Sequence, residues 1–157
     1  MREIDFMTTL HKSTKRDYLA RVTDRDFPKA KAAKLAKKWS YDYWDGDRKI
    51  NYGGYKYIDN RWLPMIKNLK EFYNLKDDCK ILDIGCGKGF FLFDFKKFMP
   101  NSDVYGLDIS DYAIKNSKEE IKDKLTLGNA ISLPWEDNFF EDRKSTRLNS
   151  SHRCISY

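Results

Sequence analysis

The sequence predicts an α/β fold built on parallel strands, and three observations carry that prediction. Short apolar runs of strand character at 80–84, 103–107 and 125–127 alternate with helix-favouring segments. The first run leads directly into three alternating glycines at 85, 87 and 89 and then a helical pattern, the layout of a strand–turn–helix unit. The composition, 41% hydrophobic and 34% charged, supplies a packed core and excludes a disordered chain. Helix, strand, helix, strand, helix, strand in that order implies parallel strands joined by right-handed crossovers.

At 157 residues there is room for one domain with a small appendage. No apolar run approaches the ~20 residues of a membrane helix. The N-terminus, MREIDFMTTLHKSTKRDYLA, lacks the apolar stretch of a secretory signal. Cysteines at 79, 86 and 154 form neither a disulfide framework nor a metal-ligand spacing. These features point to a cytoplasmic protein without a metal site or a membrane partner.

The closing stretch reads differently. Residues 142 to 152, DRKSTRLNSSH, resemble a translated short-read sequencing adapter over eleven consecutive residues, and Ile155-Ser156-Tyr157 continues the match. Residues 142–157 are therefore expected to be a non-native tail behind the front part of a longer protein, truncated after about the third strand. The tail carries four of the 30 basic residues and one of the 24 acidic ones, so residues 1–141 hold 26 against 23. A net charge of +3 no longer argues for nucleic acid. Truncation would also leave the strand at 80–84 with an open apolar edge, a template for aggregation.

Residues 1–61 read as an N-terminal helical and aromatic arm, and 62–141 as the α/β part. Asp26-Phe27-Pro28 has the form of a helix start, with Asp26 as N-cap, and KAKAAKLAKKW suits a helix through about Trp39. Its five lysines read as a solvated face, with an anionic partner as the sharper alternative. In residues 41–62, seven of 22 side chains are Tyr or Trp, interrupted by Gly46 and Gly53-Gly54. Periodicity is weak, so an ordered loop region is expected, its rings either covering a ligand pocket or packing the arm onto the core.

From Trp62 a helix is expected to bury Met65, Ile66, Leu69, Phe72 and Tyr73, with Pro64 in its first turn. The strand at 80–84 follows, then a helix at 88–98 with Phe91, Leu92, Phe95 and Phe98 turned inward. After the second strand, Ser110 is the expected N-cap of a helix reaching about Lys122, and 125–127 is the third strand.

The chemistry concentrates in ILDIGCGKGF, residues 81–90. Glycines let the chain turn sharply and let a ligand approach the backbone, while the following helix presents free N–H groups. Asp108, 19 residues after Gly89 and at the end of the second strand, is placed to hold ribose hydroxyls. A dinucleotide fingerprint would need glycine at 90, which is Phe90. Asp83, inside the strand, repels a pyrophosphate and suits the ammonium of an amino-acid moiety. Cys86 has no neighbouring base in the sequence and reads as a filler beneath the ligand rather than a nucleophile.

ILDIGCGKGFFL, VYGLDIS and GNAISLPWEDNFF together resemble motifs I, II and III of class I S-adenosylmethionine-dependent methyltransferases, over residues 80–141. The resemblance implies a Rossmann-like methyltransferase fold and S-adenosyl-L-methionine as cofactor, and the small arm and weak basicity favour a small-molecule acceptor. By position it implies that Asp83 binds the methionine amino group and that Gly85, Gly87 and Gly89, with Cys86, form the floor of the site. Asp108 would take the ribose hydroxyls, Ile109 one face of adenine, and Asn129 and Ala130 the adenine edge, with Leu133 and Trp135 nearby. Asn129 departs from the family's usual Asp. No catalytic residue is assigned: the fragment offers only Tyr52, Tyr55, Tyr57 and His11, and the acceptor's contacts are expected beyond Glu141, leaving the fragment itself inactive. An NAD(P)-binding oxidoreductase and a non-catalytic nucleotide-binding fragment remain as alternatives.

Overall fold

A computed structural model describes residues 6, 18–25, 27–47, 50, 56–140, 146–148 and 153–156. The arm holds α1 (Tyr18–Thr23), α2 (Lys29–Ala36) and α3 (Tyr41–Trp44). The α/β part comprises α4 (Leu63–Tyr73), β1 (Lys80–Ile84), α5 (Phe90–Phe98), β2 (Asp103–Asp108) and α6 (Asp111–Lys115). A 3-10 turn at Glu119–Lys124, β3 (Leu125–Leu127), β4 (Thr146–Leu148) and β5 (Arg153–Ser156) complete it. The sheet order is β3-β2-β1-β5-β4, with β1, β2 and β3 parallel as expected and β5 antiparallel to both β1 and β4.

The helices form where apolar spacing lets them bury a face. Met65, Ile66 and Leu69 of α4 are 1%, 0% and 3% exposed, and they meet Phe91 and Phe95 of α5 in one core with Ile81 and Val104 of the sheet. Pro64 opens α4 and Asn74, in the left-handed region at φ 51°, closes it. Phe72 was expected inside but lies about half exposed, because its place on the helix is at the flank of the apolar stripe. There Phe6 of the arm covers it edge-on, with ring centroids 5.7 Å apart.

Strand alternation assigns the two faces of β2. Val104 and Gly106 face α5, and a Cβ on Gly106 would stand 2.8 Å from Cys86 Sγ and 2.9 Å from Leu92 Cδ1. Tyr105 points to the other face, where Trp135, Phe139 and Phe140 surround it at 5.3–6.0 Å between centroids.

Four expectations are corrected. Helix α2 begins behind Pro28 as N-cap and ends at Ala36, because Trp39 turns left-handed at φ 50°; Asp26 lies outside the described residues. The 41–62 region contains the short helix α3 where only loop was expected. The helix after Ser110 stops at Lys115 and resumes as a 3-10 turn. Asn116 donates its side-chain amide to the Tyr112 carbonyl and Ser117 its hydroxyl to that of Ile114, so local bonds replace the helical ladder. Finally, the edge of β1 is not open. Leu82, Asp83 and Ile84 pair with Ser156, Ile155 and Cys154, so the unpaired N–H and C=O groups of β1 find partners in the tail.

Candidate functional site

The site is built at the carboxyl ends of β1 and β2. Beyond Ile84 the chain passes through Gly85, Gly87 and Gly89 at φ 81°, 58° and 70°, a left-handed sequence that residues with side chains adopt at a cost of about 1–2 kcal/mol each. The amides of Gly85 and Cys86 both donate to the Leu107 carbonyl, at 2.7 and 3.2 Å, which folds the loop back over β2. A Cβ on Gly89 would stand 2.5 Å from Ile121 Cδ1, so glycine is required there for helix α5 to pack.

Asp108 ties two loops together. Its Oδ2 accepts from the Gly87 amide at 2.7 Å and its Oδ1 from the Ser110 amide at 2.8 Å. Ser110 caps α6 as expected, accepting from the Ala113 amide at 3.0 Å. Asp83 is fully buried on the neighbouring strand, and Asp108 is 7% exposed. Two acids thus sit at adjacent strand ends against one glycine loop. Ile109 is 57% exposed, and Asn129 and Ala130 are exposed beyond β3. The structure therefore brings Asp83, the three glycines and Asp108 together, with Ile109 beside them.

Of three further sequence-derived residues, Asn129 and Trp135 behave differently from the simplest expectation and Cys86 does not. The side-chain oxygen of Asn129 accepts from the Ile131 amide at 3.0 Å, an Asx turn that engages the group proposed to meet a ligand. Cys86 is 0% exposed, with its sulfur packed toward Gly106, in keeping with a filler beneath the loop. Trp135 belongs to the aromatic packing on Tyr105, which lies three residues before Asp108 on β2 and faces the other side of the sheet.

Tyr57 is not free to act as a base. Its hydroxyl shares its single proton between Asp94, at 2.6 Å, and Asp59, at 2.8 Å; burial, then these two carboxylates, push its pKa upward. Asp94, 2% exposed on α5, also accepts from the Trp62 amide at 3.1 Å, so it anchors the junction of arm and domain. His11, Tyr52 and Tyr55 lie outside the described residues.

Sequence reasoning missed the arm's own contribution. Trp44, 8% exposed, donates its indole N–H to Ser110 Oγ at 2.8 Å, and Ser110 Oγ donates to the Trp39 carbonyl. Asp45 accepts from Lys88 Nζ at 2.6 and 2.7 Å and from the Tyr112 hydroxyl at 2.8 Å. Burial pushes the Asp45 carboxyl up, but the bonds from Lys88 and Tyr112 outweigh it and hold it below its ordinary 3.8. Tyr112 is pushed up to about 12, by burial and then by Asp45. Among the described residues there is no cluster of metal-ligating side chains, and no helix is long and apolar enough to cross a membrane.

Residues 75–141 match the family described as a methyltransferase domain. A demethylmenaquinone methyltransferase of Anoxybacillus flavithermus is 33% identical over 82 residues, 48% of this chain and 35% of that protein. One from Symbiobacterium thermophilum is 38% identical over 69 residues, 39% of this chain and 28% of its own length. An uncharacterized methyltransferase of Schizosaccharomyces pombe is 29% identical over 79 residues, 43% of this chain and 28% of its own length. The chain thus spans about a third of the length of the curated relatives it matches. A crystal structure of coclaurine N-methyltransferase bound to N-methylheliamine and SAH aligns at a TM-score of 0.40 and 13% identity, over 81% of this chain and 41% of that one. The match thus covers residues 75–141, part of the chain, and makes that stretch similar to class I S-adenosylmethionine-dependent methyltransferase domains.

Proposed function

We propose that this chain supplies the cofactor-binding part of an S-adenosylmethionine-dependent methyltransferase whose acceptor is a small molecule. The observation that carries the reading is the pairing of two buried acids, Asp83 and Asp108, across a loop of three left-handed glycines. The donor set fits the cofactor's chemistry. A buried carboxylate at 83 suits an ammonium, and a carboxylate at 108, an acceptor only when ionised, suits the donor hydroxyls of a ribose diol. Ile109 offers an apolar face at the height where a purine would lie, and Ala130 and Asn129 offer its edge.

When bound, S-adenosylmethionine supplies a methyl group already activated by its sulfonium. The residues of this chain hold the two ends of the ligand so that the methyl has one orientation, a contribution that positioning can make worth ~7–11 kcal/mol of a barrier. Asp83 and Asp108 are on rigid strand ends, and Asp108 is further fixed by the Gly87 and Ser110 amides, so neither acid has to reorganise on binding. The small-molecule acceptor is supported by the names of the curated relatives and by the modest charge of residues 1–141. The reading includes a cytoplasmic setting, supported by the free thiol at Cys79.

The test is calorimetric titration of the full chain with S-adenosylhomocysteine, with NADH as the competing ligand class. One-to-one binding of the first, weakened roughly tenfold or more in Asp108→Ala, is expected from the loss of a charge-assisted pair of hydrogen bonds. Preferential binding of NADH would replace the reading with the oxidoreductase alternative.

A further inference from the structure

Resting on that cofactor reading, we propose that residues 39–45 of the arm form a gate over the ribose half of the site, closed by Trp44 and latched by Asp45. The two walls of that half are the glycine loop and the turn after β2, which Asp108 joins through the amides of Gly87 and Ser110. Trp44 spans the same two walls. A Cβ on Gly87 would stand 2.5 Å from Trp44 Cη2 and 2.9 Å from Cζ3, so the indole's benzene ring rests on the Cα face of Gly87. At its other end the indole N–H is bonded to Ser110 Oγ.

Exposure divides the site in two. Gly87, Asp108, Ser110 and Trp44 are all buried, whereas Ile109, Asn129 and Ala130, the adenine half of the reading, are exposed. A ribose whose hydroxyls reach Asp108 has to enter the space between Gly87 and Ser110 that the indole fills. The latch grips the same walls from outside: Asp45 is held by Lys88 of the glycine loop and by Tyr112 of α6. The adenine half stays accessible while the arm is docked, and the arm withdraws before the ribose seats.

The experiment uses the full chain with S-adenosylhomocysteine as probe, in wild type, Trp44→Ala and Asp45→Asn. A site masked by a closed state binds more weakly by the fraction of open molecules. Both variants are therefore expected to bind faster and tighter, by roughly tenfold if the closed state dominates ten to one. In the wild type, acrylamide quenching of tryptophan fluorescence is expected to rise on adding the probe, as Trp44 leaves its buried position; this readout stands even if Trp44→Ala does not fold. Unchanged or weaker binding in Asp45→Asn, with unchanged quenching in the wild type, would overturn the gate and make Trp44 a fixed wall. Failure of every protein to bind the probe would instead remove the cofactor reading, and the gate with it.

Discussion

Gly87 meets two demands at once. Its backbone sits at φ 58°, and its Cα face is covered by the Trp44 ring. Gly87→Ala is expected to lose about 1–2 kcal/mol for the left-handed backbone, plus the cost of displacing the indole. A urea midpoint lowered at constant slope would show it; an unchanged midpoint would mean that the ring does not rest there. Gly87 was legible in the sequence because a ligand-binding turn is a local pattern of glycines between a strand and a helix. Its occupant was not. The bond between Trp44 and Ser110 joins residues 66 positions apart, and no periodicity encodes such a meeting. The density of rings in 41–62 signalled only that something would be covered.

At the scale of elements, the same contrast holds. The parallel strands and α4 and α5 were readable from apolar spacing, since each buries one face against a common core. Helix α6 ended early because Asn116 and Ser117 spend their side chains on nearby carbonyls, a competition that propensity averages conceal. The docking of α3 rests on charge, and its pH dependence follows from the two groups that shift. Asp45 is held below 3.8, so its contribution is complete above that value and is lost as pH falls through its lowered pKa. Tyr112 is raised to about 12, so its contribution is complete below 10.0 and fades as pH climbs toward 12. The stability difference between wild type and Asp45→Asn is therefore expected to stay flat across neutral pH and to collapse only below about pH 4 or above about pH 10. Thermal melts of both proteins across that range check it; a step near pH 6–7 would implicate a different group.

For the molecule as a whole, the tail is the largest departure from expectation. Read as foreign sequence, it was expected to leave β1 exposed; instead β5 pairs with β1 and β4 pairs with β5. Backbone edges are indifferent to the origin of the strand that caps them, because the ladder is made of N–H and C=O groups alone. Deleting residues 142–157 is therefore expected to uncover the edge and promote self-association, seen as a shift to larger species in size-exclusion chromatography. A truncated protein that elutes as a monomer, with the same melting temperature, would show that β5 contributes nothing.

The pairing also orders assembly in time. β1 finds β2, and β2 finds β3, across single crossovers, while Leu82 has to wait for Ser156, 74 positions further along the chain. Closing so long a loop is entropically slow, so the parallel half and its glycine turn are complete before the antiparallel edge zips on. On the ribosome, this sheet has its glycine-loop end before it has its second border.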